Sequence, residues 1–134
     1  MNESLVDTDI LSYYFKGEPM VVTKFNEYLS FFEVVNVSII TFYEIMGGLR
    51  SKRADKQLLE FKEFINNNSL IHISEDSAAI AANIYADLRS KGITIGTSDI
   101  LIAGIAIENE LTLVTNNVKH YSSIEGLKLA NWKV

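Results

Sequence analysis

The stretch "SDILIAGIAIENELTLVT", Ser98 to Thr115, places an apolar segment directly before a short strand-like one. No charge occurs from Ile100 to Ile107. Periodicity alone does not separate a helix from a strand here, but the length and the small alanine and glycine residues favour a buried helix. "LTLVT", Leu111 to Thr115, then predicts a strand. The stretch therefore predicts a helix–strand unit buried in the core.

Predicted strands and helices follow one another along the whole chain. We predict strands over Ser4–Asp7, Glu33–Ser38, Ser69–Ser74 and Leu111–Thr115, and a weaker strand within Gly126–Trp132. We predict helices over Thr8–Gly17, Met20–Phe32, Ile39–Ser51, Ala54–Asn67, Ser74–Gly92 and Ser98–Glu110. This order indicates an α/β fold with a mainly parallel sheet of about four to five strands and helices on both faces. We expect one domain over residues 1–134.

Composition narrows the function classes. The chain has no cysteine, so disulfides and thiolate metal sites are excluded. Its net charge of −5 argues against a protein that simply coats DNA. The longest apolar run is far below the roughly 18 residues that span a bilayer. With no secretory signal visible in "MNESLVDTDIL", we expect a soluble protein in the cytoplasm.

Three acids stand where this architecture brings side chains together. Asp7 ends the first predicted strand, Asp99 opens the apolar helix, and Glu44 lies early in the helix after the second strand. In open parallel sheets, ligands bind beyond the carboxyl ends of the strands. Each acid also has a simpler interpretation. Asp7 and Asp99 are candidate helix caps, as are Asp9 and Ser98, and Glu44 is a candidate for a solvated helix face.

Taken together, the three acids favour a metal site over three separate structural roles. Carboxylates gathered at one edge raise one another's pKa unless a cation neutralises them. Oxygen-only ligands suit Mg²⁺ or Mn²⁺. Such an ion, held by a few carboxylates and by substrate phosphates, is suited to hydrolysing a phosphodiester.

Four segments carry a family resemblance over nearly the whole chain: "LVDTDIL", "FYEIMGGLR", "SDILIAGIA" and "LTLVTNNVKHY". In this order and spacing, the chain resembles the PIN-domain ribonucleases, and among them the VapC toxins of toxin–antitoxin pairs. "GLKLANW" resembles the usual VapC terminus. The resemblance implies a PIN-like α/β/α sandwich and metal-dependent endonucleolytic cleavage of RNA.

The resemblance also assigns residues. It implies that Asp7, Glu44 and Asp99 are the catalytic, metal-binding acids. Supporting residues would be Thr8, Ser98, Thr115, Asn116 and Asn117. The hydroxyls of Thr8 and Ser98 are candidates to bond to the acids beside them. The two asparagines stand where family members often have a fourth acid, which leaves a second metal site open. His120 is a candidate either to bind substrate phosphate or to pack at the surface, and we favour surface packing; we expect His72 to be structural within a strand.

The resemblance further implies an RNA substrate, a VapB-type antitoxin and a homodimer, with no membrane association. Candidate RNA-binding residues are Arg50, Lys52, Arg53 and Lys56, whose alternative role is a solvated helix end. The aromatics of "LSYYF" and "FNEYLSFF" suit either the core or a dimer or antitoxin groove. Two further function classes remain: a catalytically degenerate PIN-fold module that binds RNA or an antitoxin, and a phosphoacceptor domain. Glu44 within a helix fits the latter poorly.

Overall fold

The computed structural model describes all 134 residues and has five strands and seven helices in alternation. The strands are β1 (Ser4–Val6), β2 (Asn36–Ser38), β3 (Ser69–Ile71), β4 (Thr112–Val114) and β5 (Leu129–Ala130). The helices are α1 (Thr8–Phe15), α2 (Pro19–Leu29), α3 (Ile39–Ser51), α4 (Asp55–Asn66), α5 (Glu75–Ser90), α6 (Thr97–Glu108) and α7 (Val118–Tyr121). The predicted parallel α/β fold is confirmed.

All strand pairs in the sheet are parallel, and the strand order is β3-β2-β1-β4-β5. Side chains alternate between the two faces along each central strand. Leu5 and Leu113 pack into a core with α5 and α6, whereas Val6 and Val114 pack into a second core with α1, α2 and α4. Covering both faces in this way buries β1, β2 and β4 completely.

Several predicted boundaries were wrong. β2 begins three residues after Glu33, because the backbone N–H of Val35 bonds to the Asn68 side chain instead of a strand partner. β3 ends at Ile71, so His72 lies outside the strand and is exposed, contrary to its predicted structural role. The short helix α7 was not predicted. None of the helices combines the length and apolar character that crossing a membrane requires.

The aromatic residues near the N-terminus divide between core and surface. Phe25 is buried, stacks on Tyr14 with ring centroids 4.0 Å apart and meets Trp132 edge-on at 5.1 Å. Tyr28 is also buried, and its hydroxyl accepts the Ser4 N–H. Phe15, by contrast, remains 41% exposed. Most of the aromatic excess therefore belongs to the core, and a smaller part is available to a partner.

Gly104 permits the close approach of α6 to α5. A Cβ at this position would lie 2.6 Å from the Ser77 carbonyl oxygen and 3.0 Å from the Ala81 Cβ. Gly104→Ala should therefore lower the free energy of unfolding by about 1–3 kcal/mol, the usual cost of overpacking. Gly47→Ala is the control, because that helical position is open and alanine there should stabilise by about 0.5–1 kcal/mol. Equal urea midpoints for the two variants would contradict this packing account.

Candidate active site

Asp7 lies where the neighbouring strands β1 and β4 end. It follows β1 directly, is only 6% exposed and caps α1, with its Oδ1 accepting the Thr8 N–H at 2.8 Å. Its Oδ2 accepts the hydroxyl of Thr115, which follows β4, also at 2.8 Å. Thr115, which was predicted to be a supporting residue, thus contacts Asp7 directly. Both carboxylate oxygens of Asp7 accept a hydrogen bond.

Glu44 is tied to the same edge through a chain of hydroxyls. The Thr8 hydroxyl donates to Glu44 Oε1 at 2.8 Å and lies 2.8 Å from the Thr41 hydroxyl. Since the Thr8 hydroxyl has a single proton, Thr41 must be the donor in the second contact. Glu44 is half-buried, so it is not a freely solvated side chain. The Thr8 hydroxyl bonds to Glu44, 36 residues away in sequence, rather than to the adjacent Asp7.

Asp99 does not cap its helix. The N-cap of α6 is Gly96, no side chain caps this end, and Asp99 lies within the first turn. The capping interpretations of Asp99 and Ser98 were therefore wrong, and the structure gives Ser98 no hydrogen bond to Asp99. Instead, Asp99 Oδ2 lies 2.9 Å from His120 Nε2. His120 is only partly exposed and belongs to the site, contrary to the expected surface role.

Asp9 is a fourth acid at this edge. Its Oδ2 accepts the backbone N–H of Asn116 at 3.0 Å and its Oδ1 accepts that of Ile10 at 2.7 Å. It was expected to be only a helix cap, but Asp7 is the residue that caps α1. Acids are common in the first turn of a helix, so the sequence gives no sign that Asp9 also belongs to the acidic edge of the sheet. Its distant contact with Asn116 was not predictable.

The two asparagines act mainly through their backbones. Asn117 donates its N–H to the Thr115 hydroxyl at 3.0 Å. The Asn116 side-chain oxygen accepts a hydrogen bond from the Asn131 side-chain amide at 3.1 Å, and the Asn116 backbone N–H donates to Asp9. Both asparagines are exposed. They therefore shape the loop that holds Asp9 and Thr115, and neither replaces a fourth carboxylate by charge.

The acids at this edge perturb one another. The pKa of Asp7 is raised from 3.8 to about 6, chiefly by burial and also by the charges of Asp9 and Asp99, although hydrogen bonds from Thr115 and Thr8 lower it. Burial and the charge of Asp99 also raise the pKa of Asp9. Like charges that share a site in this way are relieved by protonation or by a bound cation.

The site offers the donors of a hard divalent cation. As the side chains stand, no group of three or more His, Cys, Asp or Glu residues is arranged to hold a metal ion. The donor chemistry nevertheless fits, because the three mutually repelling carboxylates of Asp7, Asp9 and Asp99 provide only oxygen. In addition, the Tyr121 hydroxyl is buried close to Asp99 and makes no hydrogen bond of full geometry. Side-chain rotations would be needed to complete such a site.

The raised pKa of Asp7 predicts an unusual pH dependence of stability. The folded state keeps the Asp7 proton up to about pH 6, whereas the unfolded chain releases it near 3.8. Stability from this group is therefore present below 3.8 and is lost as pH rises toward 6. In metal-free buffer, the free energy of unfolding of the wild type should fall by about 3 kcal/mol relative to that of Asp7→Asn across that window, at ~1.4 kcal/mol per pKa unit. Urea unfolding at several pH values would contradict this if the two curves ran parallel.

A groove is lined by Glu44 and by two lysines. It is a cavity of about 430 Å³ between α1, α3 and α4, and Thr8 and Glu44 line one end of it. Lys52 and Lys16 line it as well. The other predicted RNA-binding residues, Arg50, Arg53 and Lys56, are exposed nearby but do not line this cavity. None of these five cations makes a salt bridge within the chain.

Comparisons with known proteins agree with this geometry. The family model described as PIN domain matches residues 4–124. Ribonuclease VapC2 of Rickettsia felis is 30% identical over 129 residues, 96% of this chain and 96% of that protein. The tRNA(fMet)-specific endonuclease VapC of Salmonella typhimurium is 30% identical over 97 residues, 72% of this chain and 74% of that protein.

Solved structures show the same fold. VapBC2 from Rickettsia felis, bound to a DNA fragment from its promoter, superposes with a TM-score of 0.86 at 28% identity over 96% of this chain and 98% of that one. DNA-bound VapBC from Salmonella typhimurium superposes with a TM-score of 0.86 at 28% identity, over 98% of this chain and 99% of that one. The strand order, the acidic edge and these similarities agree. The chain therefore belongs to the PIN-domain family and, within it, to the VapC proteins.

Proposed function

We propose that this chain is a metal-dependent endoribonuclease, the toxin of a toxin–antitoxin pair. The observation that carries the proposal is the gathering of Asp7, Asp9 and Asp99 at the carboxyl edge of a parallel sheet, where burial and mutual repulsion raise the pKa of Asp7. Relatives named as ribonucleases support the reaction class. A bound cation would relieve this repulsion, which supports the choice of a divalent metal.

Each acid has a distinct part in this mechanism. Asp7 and Asp99 would hold Mg²⁺ or Mn²⁺, with Asp9 adding negative charge beside them. Such an ion stabilises charge on the phosphodiester and activates water for attack. Glu44, fixed at Oε1 by Thr8, keeps its second oxygen for the ion or for orienting water. Thr115 and the Thr8 N–H hold Asp7 in place, so that this carboxylate is oriented before substrate arrives.

Cleavage of a single-stranded RNA by the purified chain tests the proposal. We expect cleavage with Mg²⁺ or Mn²⁺ and none with EDTA. The Glu44→Gln variant, purified identically, controls for contaminating nuclease and should be inactive. RNA binding without cleavage under every metal condition would instead support the catalytically degenerate module.

We further propose that RNA follows the groove past Lys52 and Lys16. Because Lys52 lines the cavity that Glu44 also lines, and Lys56 does not, the two lysines form a matched pair. In an inactive Asp99→Asn background, Lys52→Ala should weaken RNA binding and reduce the salt slope of log affinity by about 0.7–1. Lys56→Ala should change the slope less. Equal effects in fluorescence anisotropy titrations would contradict a path along this groove.

The partner proposed here is a VapB-type antitoxin, because the structural relatives are VapBC complexes. A second cavity, of about 480 Å³ between α1, α2 and α4, is lined by Tyr14, Phe15, Val22 and Phe64. Glu60, Glu63 and Asn67 complete its lining, so the cavity combines apolar and polar surface beside the catalytic groove, which suits an amphipathic antitoxin segment. Stable co-purification with a VapB protein encoded by the neighbouring gene would support this partner. We also propose a homodimer, which light scattering of the purified chain would test.

A further inference from the structure

The orientation of the Asp99 carboxylate depends on α7 rather than on its own helix. No side chain caps α6, and the one side-chain hydrogen bond to Asp99 comes from His120 on α7, at 2.9 Å. Its side chain is 34% exposed, so surrounding atoms leave it room to rotate. A metal ligand with this freedom needs a partner that fixes its rotamer.

The short helix α7 is itself firmly anchored. Its last residue, Tyr121, is 1% exposed and packs in the core beside α5 and α6. Its N-cap, Asn117, donates its N–H to Thr115, which in turn bonds to Asp7. The His120 ring rests edge-on against the Tyr121 ring with centroids 5.3 Å apart. His120 is thus presented to Asp99 from a fixed position.

The Tyr121 hydroxyl is the unexplained atom of this region. It is buried and has no hydrogen-bond partner. It lies close to Asp99 without forming a hydrogen bond of full geometry, and because a phenol keeps its proton at neutral pH it can act as a donor. An unpartnered buried donor destabilises a folded chain.

We propose that α7 positions Asp99 for the metal ion, with His120 as donor on the exposed side and the Tyr121 hydroxyl as a buried donor that gains its partner on metal binding. This inference rests on the proposed function. Both residues are positioning residues, because they act through Asp99 and its surroundings. A carboxylate only accepts hydrogen bonds, so His120 Nε2 carries the hydrogen in this contact.

Removing either donor should weaken metal binding. His120→Ala should reduce Mn²⁺ affinity by about tenfold or more, the usual consequence of losing a residue that orients a metal ligand. His120→Gln should restore much of the affinity, because its amide reaches the position of Nε2. Tyr121→Phe should also lower Mn²⁺ affinity, yet raise the melting temperature in EDTA, because it deletes an unpartnered hydroxyl.

Calorimetric titration of the full chain with Mn²⁺, combined with thermal unfolding in EDTA, tests the proposal. His72→Ala and Tyr85→Phe are controls at exposed sites and should bind Mn²⁺ like wild type. If His120→Ala does not fold, His120→Asn, whose shorter amide lacks the reach of Nε2, replaces it. Wild-type affinity in both the His120 and Tyr121 variants would overturn this inference alone. Failure of the wild type to bind Mn²⁺ would overturn it together with the metal-dependent function.

Discussion

Asp7→Asn should abolish RNA cleavage while making the metal-free protein more stable. The asparagine keeps the cap contact with Thr8, so α1 retains its N-terminal hydrogen bond. It removes the buried Asp7 carboxylate, whose pKa burial and the neighbouring acids together raise to about 6. Activity should fall by on the order of a thousandfold or more, which corresponds to several kcal/mol of lost transition-state stabilisation. Stability at neutral pH should rise by about 1–3 kcal/mol.

Paired measurements on purified Asp7→Asn protein test both expectations. RNA cleavage with Mn²⁺ gives the loss of activity, and urea unfolding in EDTA gives the gain in stability. Asp76→Asn is the control, since it changes an exposed acid in the first turn of α5. A variant that loses activity because it is unfolded would contradict the account, as would a variant that still cleaves RNA.

Asp99→Asn should also remove activity on the order of a thousandfold, but with little effect on stability. Because Asp99 makes no cap bond and an asparagine can still accept from His120, its replacement should change the free energy of unfolding by no more than about 0.5 kcal/mol. Loss of a helix cap would instead cost about 1 kcal/mol and leave cleavage intact. The adjacent Ser98→Ala should be neutral in both assays. Full activity in Asp99→Asn would contradict its role as a metal ligand.

The sequence predicted the fold because alternation of apolar segments is a local property. The central strands have side chains that alternate between two covered faces, so their segments are apolar almost throughout. The ends of the segments were less predictable. β2 is shortened by a contact between Val35 and Asn68, which are 33 residues apart. The four residues of α7 are too few to show helical periodicity.

The candidate site was predictable in its position but only partly in its contacts. Asp7 and Asp99 stand out because each adjoins a strongly apolar segment. Asp9 resembles any acid at a helix start, and its inclusion depends on Asn116, 107 residues away. The pairing of His120 with Asp99 likewise depends on the tertiary packing that brings α7 beside the start of α6. Such contacts are set by tertiary packing, for which a single sequence carries no local pattern.

The most direct test of the central claim is the anomalous scattering of a crystal of the wild-type chain soaked in Mn²⁺. We predict a peak within coordination distance of the Asp7 and Asp99 carboxylates, with Asp9 and Glu44 beside it, and no such peak in crystals of Asp7→Asn. A wild-type crystal with no manganese at this edge of the sheet, or with manganese bound only elsewhere, would contradict the account.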